Sequence, residues 1–217
     1  MPRPRVHDLE RLMNAAEKLA VDSGPASVTV RALSEVTSVS NGAIYHAFGS
    51  RAGLVGQVWL RAAQRFLTMQ SGAVDAALER GHGQSAAIEA VIAAADSPAR
   101  FLLESPVSGR FLLAVRRNEL LDSSDLSNDL AADIRNLDNT LAELFVRLSR
   151  AMWLRADRNA VDVIRDCVVE IPSALLLRGR RTPDAVVRQR LAAAVHALLA
   201  LEPPPPPSVS TPTTVDK

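Results

Sequence analysis

Between two helix-breaking pairs, Gly24-Pro25 and Gly49-Ser50, the chain has room for only two short helices joined by a tight turn. Thr29 stands where an N-cap belongs, and Val30, Leu33 and Val36 follow at helical spacing, predicting a helix of about two turns. After Thr37-Ser38-Val39, Ser40 is a second capping residue. It opens a segment, Asn41 to Phe48, in which Ile44 and Phe48 lie four apart and face inward together. Ahead of both runs a stripe, Leu9, Leu12, Met13, Ala16, Leu19 and Ala20, which predicts a longer amphipathic helix closed by Gly24-Pro25.

A long helix followed by two short ones is a helix-turn-helix pattern, whose last helix fits a DNA major groove about 12 Å wide. With Val39, Ile44 and Phe48 turned inward, Asn41, Gly42, Ala43, Tyr45 and His46 face outward. Asn41 offers a paired donor and acceptor, Gly42 and Ala43 permit close approach, and Tyr45 adds a ring and a hydroxyl.

Composition agrees with an all-α chain. Of the 217 residues 47% are hydrophobic, carried by Ala, Leu and Val, while aromatics reach only 4%, too few for an ordinary β-sandwich. The charge is uneven. Residues 1–65 hold eight Lys or Arg against five Asp or Glu, a balance of +3, and residues 66–217 hold seventeen against nineteen, a balance of −2. This asymmetry fits an anion-binding N-terminus once the motif is in view.

Beyond Ser50 the pattern Leu54, Val58, Ala62, Phe66 predicts a connecting helix toward Arg80. Further helices are expected at about 85–95, 98–104, 107–121, 126–155, 158–178 and 183–201. Pro172 should kink or divide the 158–178 segment, and Thr182-Pro183-Asp184 reads as a cap, an N1 proline and a first-turn acid. Pro203 to Pro207 opens a tail without periodicity, expected to be disordered with polyproline II at its start. The expected organisation is a helix-turn-helix domain at 1–50, a helical domain at 51–202 and a tail at 203–217.

The stretch from Val28 to Leu54, V-T-V-R-A-L-S-E-V-T-S-V-S-N-G-A-I-Y-H-A-F-G-S-R-A-G-L, resembles the signature of the tetracycline-repressor (TetR/AcrR) family of bacterial regulators. That signature runs approximately T-V-x-x-I-A-x-x-A-G-V-S-x-G-x-L-Y-x-Y/H-F-x-S-K-x-x-L, and order and spacing agree without a gap. Thr29 takes the capping Thr, Leu33 the buried aliphatic, Val39-Ser40 the Val-Ser pair and Gly42 the glycine. Ile44-Tyr45 fills Leu-Tyr, Phe48 the Phe, Ser50-Arg51 the Ser-Lys pair and Leu54 the last aliphatic. Three positions depart from it. Thr37-Ser38 replaces Ala-Gly, so a turn position that often needs a left-handed conformation carries a Cβ. Ala47 replaces an aromatic or His, and Asn41 a frequent Lys.

The single cysteine, Cys167, which can form no internal disulfide, and a start, Met1 to Val6, without the apolar stretch of a secretory signal point to a cytoplasmic protein. The resemblance implies a homodimeric transcriptional regulator, most often a repressor, that leaves a palindromic double-stranded DNA operator when a small-molecule effector binds. Within this frame Thr29, Tyr45, His46 and Arg51 become phosphate-contact candidates, and Ser40 and Thr29 serve as caps and contacts at once. The same frame makes 158–178 and 183–201 the dimer helices. Arg3 and Arg5 are candidates for an arm toward the minor groove. For the effector, Phe101, Phe111, Phe145, Met152 and Trp153 are candidate pocket residues, with Arg116, Arg117 or Glu119 supplying polarity.

Other classes of function find less support. Glu79-x-x-His82 has di-iron spacing but no second copy, since His7, His46 and His196 lack a glutamate three residues before them. No P-loop, nucleophile elbow, dinucleotide fingerprint or Cys-x-x-Cys occurs, and the lone Cys167 among Ile164, Val168 and Val169 reads as a small core residue. No cofactor, metal or membrane partner is expected. A small helical enzyme or metal protein built on the 85–201 segment is one alternative. An architectural DNA-binding protein without an effector is the other.

Overall fold

The computed structural model describes residues 6–178 and 183–206, with side chains from Leu9 onward. All regular structure among them is helical. Helix α1 (Val6–Ser23), a short 3-10 turn (Pro25–Ser27), α2 (Val30–Thr37) and α3 (Asn41–Phe48) form an N-terminal head. Then follow α4 (Arg51–Arg80), α5 (Gly83–Glu104), α6 (Pro106–Ala114), α7 (Arg117–Leu121), α8 (Asn128–Trp153), α9 (Arg158–Arg165) and α10 (Ala185–Leu199).

The 30 residues of α4 make a rod of about 45 Å that ties the head to the C-terminal helices. Two apolar cores sit along it. One, built from α5, α8, α9 and α10 with the far end of α4, includes Val74, Val91, Leu144, Phe145, Leu148, Ile164, Cys167, Leu191 and Val195. The head core, Leu12, Ala16, Val28, Leu33, Ile44 and Phe48, extends past Ser50. It takes in Leu54, Val58 and Ala62 of α4, Phe111 and Val115 from α6 and its end, and Leu120 of α7.

Expected breaks and observed breaks differ in several places. The predicted gap between 95 and 98 is absent, because α5 runs straight through Pro98. A proline has no N–H to give the carbonyl four residues back, here that of Ala94. The Gln70 side chain, buried on α4, fills the vacancy: its Nε2 donates to Ala94 O at 3.0 Å. Gln70→Leu is therefore expected to cost about 1–3 kcal/mol, the penalty of an unsatisfied buried carbonyl. In a Pro98→Ala background, where the backbone amide reaches Ala94 O, most of that loss should vanish. Chemical denaturation of the four proteins in this cycle checks it, and equal losses in both backgrounds would refute the repair.

The 107–121 segment divides into α6 and α7, since Val115 and Arg116 turn to extended backbone. Pro172 does not divide its segment. The chain stays helical but widens into π turns, Asp166–Glu170 and Ser173–Leu177, on either side of it. Asp184, rather than Thr182, caps α10, its carboxylate accepting from Val187 N at 2.8 Å. Thr182 lies outside the described residues, as do Arg3, Arg5 and 207–217.

The first residues of the tail, 203–206, lie against the helices. Pro203 is buried, Arg155 Nη2 donates to Pro204 O at 2.9 Å, and Asn159 Nδ2 donates to Pro205 O at 2.6 Å. Polyproline carbonyls have no internal partner, so side-chain donors at the α8–α9 corner can hold them. Arg155 is itself fixed by Asp157, the N-cap of α9, whose carboxyl the guanidinium hydrogen bonds push down to about 2.

Candidate nucleic-acid interface

The two short helices form as their caps direct. Thr29 Oγ1 accepts from Ala32 N at 3.1 Å at the start of α2, and Ser40 Oγ accepts from Ala43 N at 3.3 Å at the start of α3. Between them Ser38 adopts the left-handed conformation (φ 60°, ψ 21°) and its N–H closes α2 on Ser34 O at 2.9 Å. This is the turn position where a glycine is commoner, and the chain accepts the strain of a Cβ there.

The inward face of α2 is Val30, Leu33 and Thr37, not Val36. Thr37 is buried because its hydroxyl donates back to Leu33 O at 2.6 Å, satisfying itself within the helix, and Val36 is left 59% exposed. On α3 the anchors are as read from the sequence: Ile44 is fully buried, Phe48 nearly so, and Val39 packs at their edge.

The other side of α3 is open. Asn41, Gly42 and His46 are exposed, Tyr45 is 54% exposed, and Ala43 is half-buried. A Cβ built on Gly42 would meet nothing within 4 Å, so the packing of this chain makes no demand for glycine there. A glycine inside a helix costs about 1 kcal/mol relative to alanine. What its bare backbone offers is close approach by something outside the molecule.

Thr29 and Ser40 thus stand at the two helix N-termini. Arg51 is differently employed from its expected role. Its Nε donates to Val28 O at 2.8 Å and its Nη2 to Pro25 O at 2.7 Å, bracing the α1–α2 loop against the start of α4. A phosphate contact by Arg51 would fall to Nη1.

Sequence reading gave Ser50 as a cap of the helix from Arg51, which the structure shows, but missed Gly53 and the long-range partner of Ser50. Ser50 Oγ accepts from Gly53 N at 2.8 Å, capping α4, and donates to Asp125 O at 2.8 Å in the α7–α8 loop. The family pattern carried Ser50 as a typed position, but no local signal pointed to a partner 75 residues away.

The effector candidates are not gathered in one place. Phe111 belongs to the head core, while Phe145, Met152 and Trp153 belong to the C-terminal core. Phe101 stacks edge-on against Phe66 at 5.6 Å between ring centres. Arg116 is exposed and pairs with Glu119 at 3.6 Å, and Arg117 pairs with Asp138 at 2.7 Å. A cleft of about 640 Å³ between α4 and α8 is lined instead by Gln64, Leu67, Thr68, Asp75, Asp133 and Thr140, among others.

Glu79 and His82 do not share a helix, because α4 ends at Arg80 and His82 precedes α5. Among the described residues no three His, Cys, Asp or Glu side chains cluster as metal ligands would, and no helix is long and apolar enough to cross a membrane. Cys167 is fully buried, and desolvation pushes its thiol up to about 12.

Residues 12–58 match the family model of bacterial regulatory proteins of the tetR family. No curated protein sequence matches the chain. Among solved structures it is similar to a tetR-family regulatory protein from Rhodococcus RHA1, with a TM-score of 0.63, 17% identity, and coverage of 90% of this chain and 97% of that one. The TetR-family transcriptional regulator PfmR from Thermus thermophilus aligns with a TM-score of 0.59 and 20% identity, over 87% and 96% of the two chains. The ketosteroid transcriptional regulator KstR2 of Mycobacterium tuberculosis aligns with a TM-score of 0.57 and 13% identity, over 91% and 96%. At these identities the structural likeness speaks to fold, and the match at 12–58 speaks to the head. Residues 12–58 of the chain thus match the model of the tetR family of bacterial regulatory proteins, and the chain as a whole shares the all-helical fold of these solved structures.

Proposed function

We propose that this chain is a ligand-responsive transcriptional regulator, a repressor that binds a palindromic operator as a homodimer. The observation that carries the reading is the outer face of α3: polar or bare at Asn41, Gly42, Tyr45 and His46, and held from behind by Ile44 and Phe48. Asn41, Gly42, Ala43 and Tyr45 would read base edges. Thr29, Ser40, His46 and Arg51 would meet phosphates at the mouths of α2 and α3.

Two copies joined through 158–178 and 183–201 would set their α3 helices about 34–36 Å apart, one turn of DNA. Leu175 and Val186, left exposed on those segments, favour a covered surface there. For release, the α4–α8 cleft falls in the size range of small-molecule sites. Phe101, Phe145 and Trp153 are the proposed apolar contacts of an effector taken up deeper among the helices. Lowering operator affinity a hundredfold requires a coupling of about 2.7 kcal/mol.

Selection of duplexes from a random DNA pool by the purified chain tests this. Expected is one enriched palindrome, bound less tightly as salt rises. Tyr45→Ala, at an exposed position, should leave thermal unfolding unchanged and weaken binding to that palindrome by about 1–3 kcal/mol. Enrichment of no sequence over bulk DNA would favour an architectural protein, and undiminished binding by the variant would remove Tyr45 from the interface.

A further inference from the structure

A buried polar cluster joins the head to the C-terminal helices. Glu17 of α1 is buried with both carboxylate oxygens engaged: Oε1 accepts from Arg61 Nη2 of α4 at 2.7 Å, and Oε2 accepts from Ser108 Oγ of α6 at 2.6 Å. Arg61 Nη1 also donates to Glu10 Oε2 at 2.7 Å. Three helices thus meet at one carboxylate, and Ser108 stands 91 residues along the chain from it.

Helix α6 has further ties in the same direction. Phe111 is fully buried in the head core, and Val115 O, just past the helix end, accepts from Trp59 Nε1 of α4 at 3.2 Å. On its opposite side α6 presses on α5 at Gly109, where a Cβ would come within 2.9 Å of Leu102 Cδ2 and 3.2 Å of Leu102 Cα. With α5 so close on one side and the head on the other, a shift of α6 must be passed to α1.

We infer that the Ser108–Glu17 hydrogen bond, braced by Arg61, sets the angle at which the DNA-binding head sits on the C-terminal helices. Ser108, Glu17 and Arg61 are then positioning residues for operator recognition. Apolar packing alone would hold α1 against α6 with comparable strength, since burying a charge pair costs much of what the pair returns. It would not hold one orientation. Hydrogen bonds to both oxygens of a fixed carboxylate are directional, and a rotation of α1 over α6 breaks one of them. The inference rests on the reading of residues 12–58 as a DNA-binding head.

The test is a distance measurement in the full chain without DNA. Spin labels are placed through Asn14→Cys on α1 and Ala142→Cys on α8, both exposed, and the labelled chain is diluted into excess unlabelled protein. Cys167 stays unlabelled because it is buried. The parent is expected to give one narrow distance distribution, and Ser108→Ala a shifted or roughly twofold broader one with a melting temperature a few degrees lower, since a buried carboxylate oxygen loses its donor. Ser108→Thr and Ser108→Val, alike in volume, isolate the hydroxyl: Thr should behave as the parent and Val as Ala.

On a selected operator, Ser108→Ala should lose about tenfold in discrimination against a site whose halves are one base pair further apart, with half-site affinity unchanged. Distances indifferent to the hydroxyl, or altered only alongside a loss of thermal stability equal in Thr and Val, overturn the inference. If the distances respond while the parent enriches no DNA, the regulator reading fails and the hinge assignment stands.

Discussion

Gly53→Ala is expected to collapse the N-terminal head. Helix α3 ends at Phe48, Gly49 turns the chain at φ 71°, and Ser50 caps α4 with its amide donating to Phe48 O at 2.8 Å. That carbonyl lies directly over Gly53, so a Cβ there falls well inside van der Waals contact with it and 3.3 Å from the capping hydroxyl. A backbone oxygen tied into the turn cannot swing away as a side-chain tip can. The turn must open, and Phe48, which closes the head core, moves with it. The expected loss is about 3 kcal/mol or more, at the upper end for overpacking, and is read by chemical denaturation and loss of operator binding. Gly42→Ala is the control: its methyl enters open space, so the fold should hold while DNA contact suffers. A Gly53→Ala protein as stable as the parent would mean that the α3–α4 turn is softer than its geometry states.

Arg61→Leu is expected to cost about 3–5 kcal/mol, because it leaves the Glu17 carboxylate buried without its counter-charge. Ser108 keeps one oxygen satisfied, but a lone hydroxyl does not offset the desolvation of a full charge. The loss should come chiefly from the stranded carboxylate. Arg61→Leu combined with Glu17→Gln is therefore expected to regain more than half of it, which denaturant midpoints measure directly. A double variant no more stable than Arg61→Leu would show that the guanidinium acts by packing its stem.

The head was legible in the sequence because its signals are local. A cap, two anchors four residues apart and a glycine stop are enough to place α3, and none of them needs knowledge of the rest of the chain. Failures occur where a distant residue intervenes. Pro98 reads as a break until Gln70, on the neighbouring helix α4, supplies the donor the proline lacks. Val36 fits a period of three from Leu33, yet Thr37 wins the inward position because its hydroxyl can satisfy itself on its own helix.

Aromatic residues are separated by the same kind of distant packing. Composition makes Phe111 and Phe145 equivalent candidates for a pocket, but tertiary packing sends one to the head core and the other to the C-terminal core. The tail reads as unstructured because polyproline has no internal hydrogen bonds, and its partners at Arg155 and Asn159 are not visible from its composition. Glu17, Arg61 and Ser108 each look like ordinary solvent-facing polar residues along the chain, and only their meeting gives them a role.

The apolar centre of the head is a joint property of two distant stretches, since Phe111, Val115 and Leu120 fill it alongside Leu12, Leu33 and Ile44. Severing the polypeptide after Ser50 would strip that centre of one wall and leave greasy surface facing water. Anyone grafting this head onto another helical domain should therefore transplant α6 and α7 with it, or redesign the host segment that takes their place.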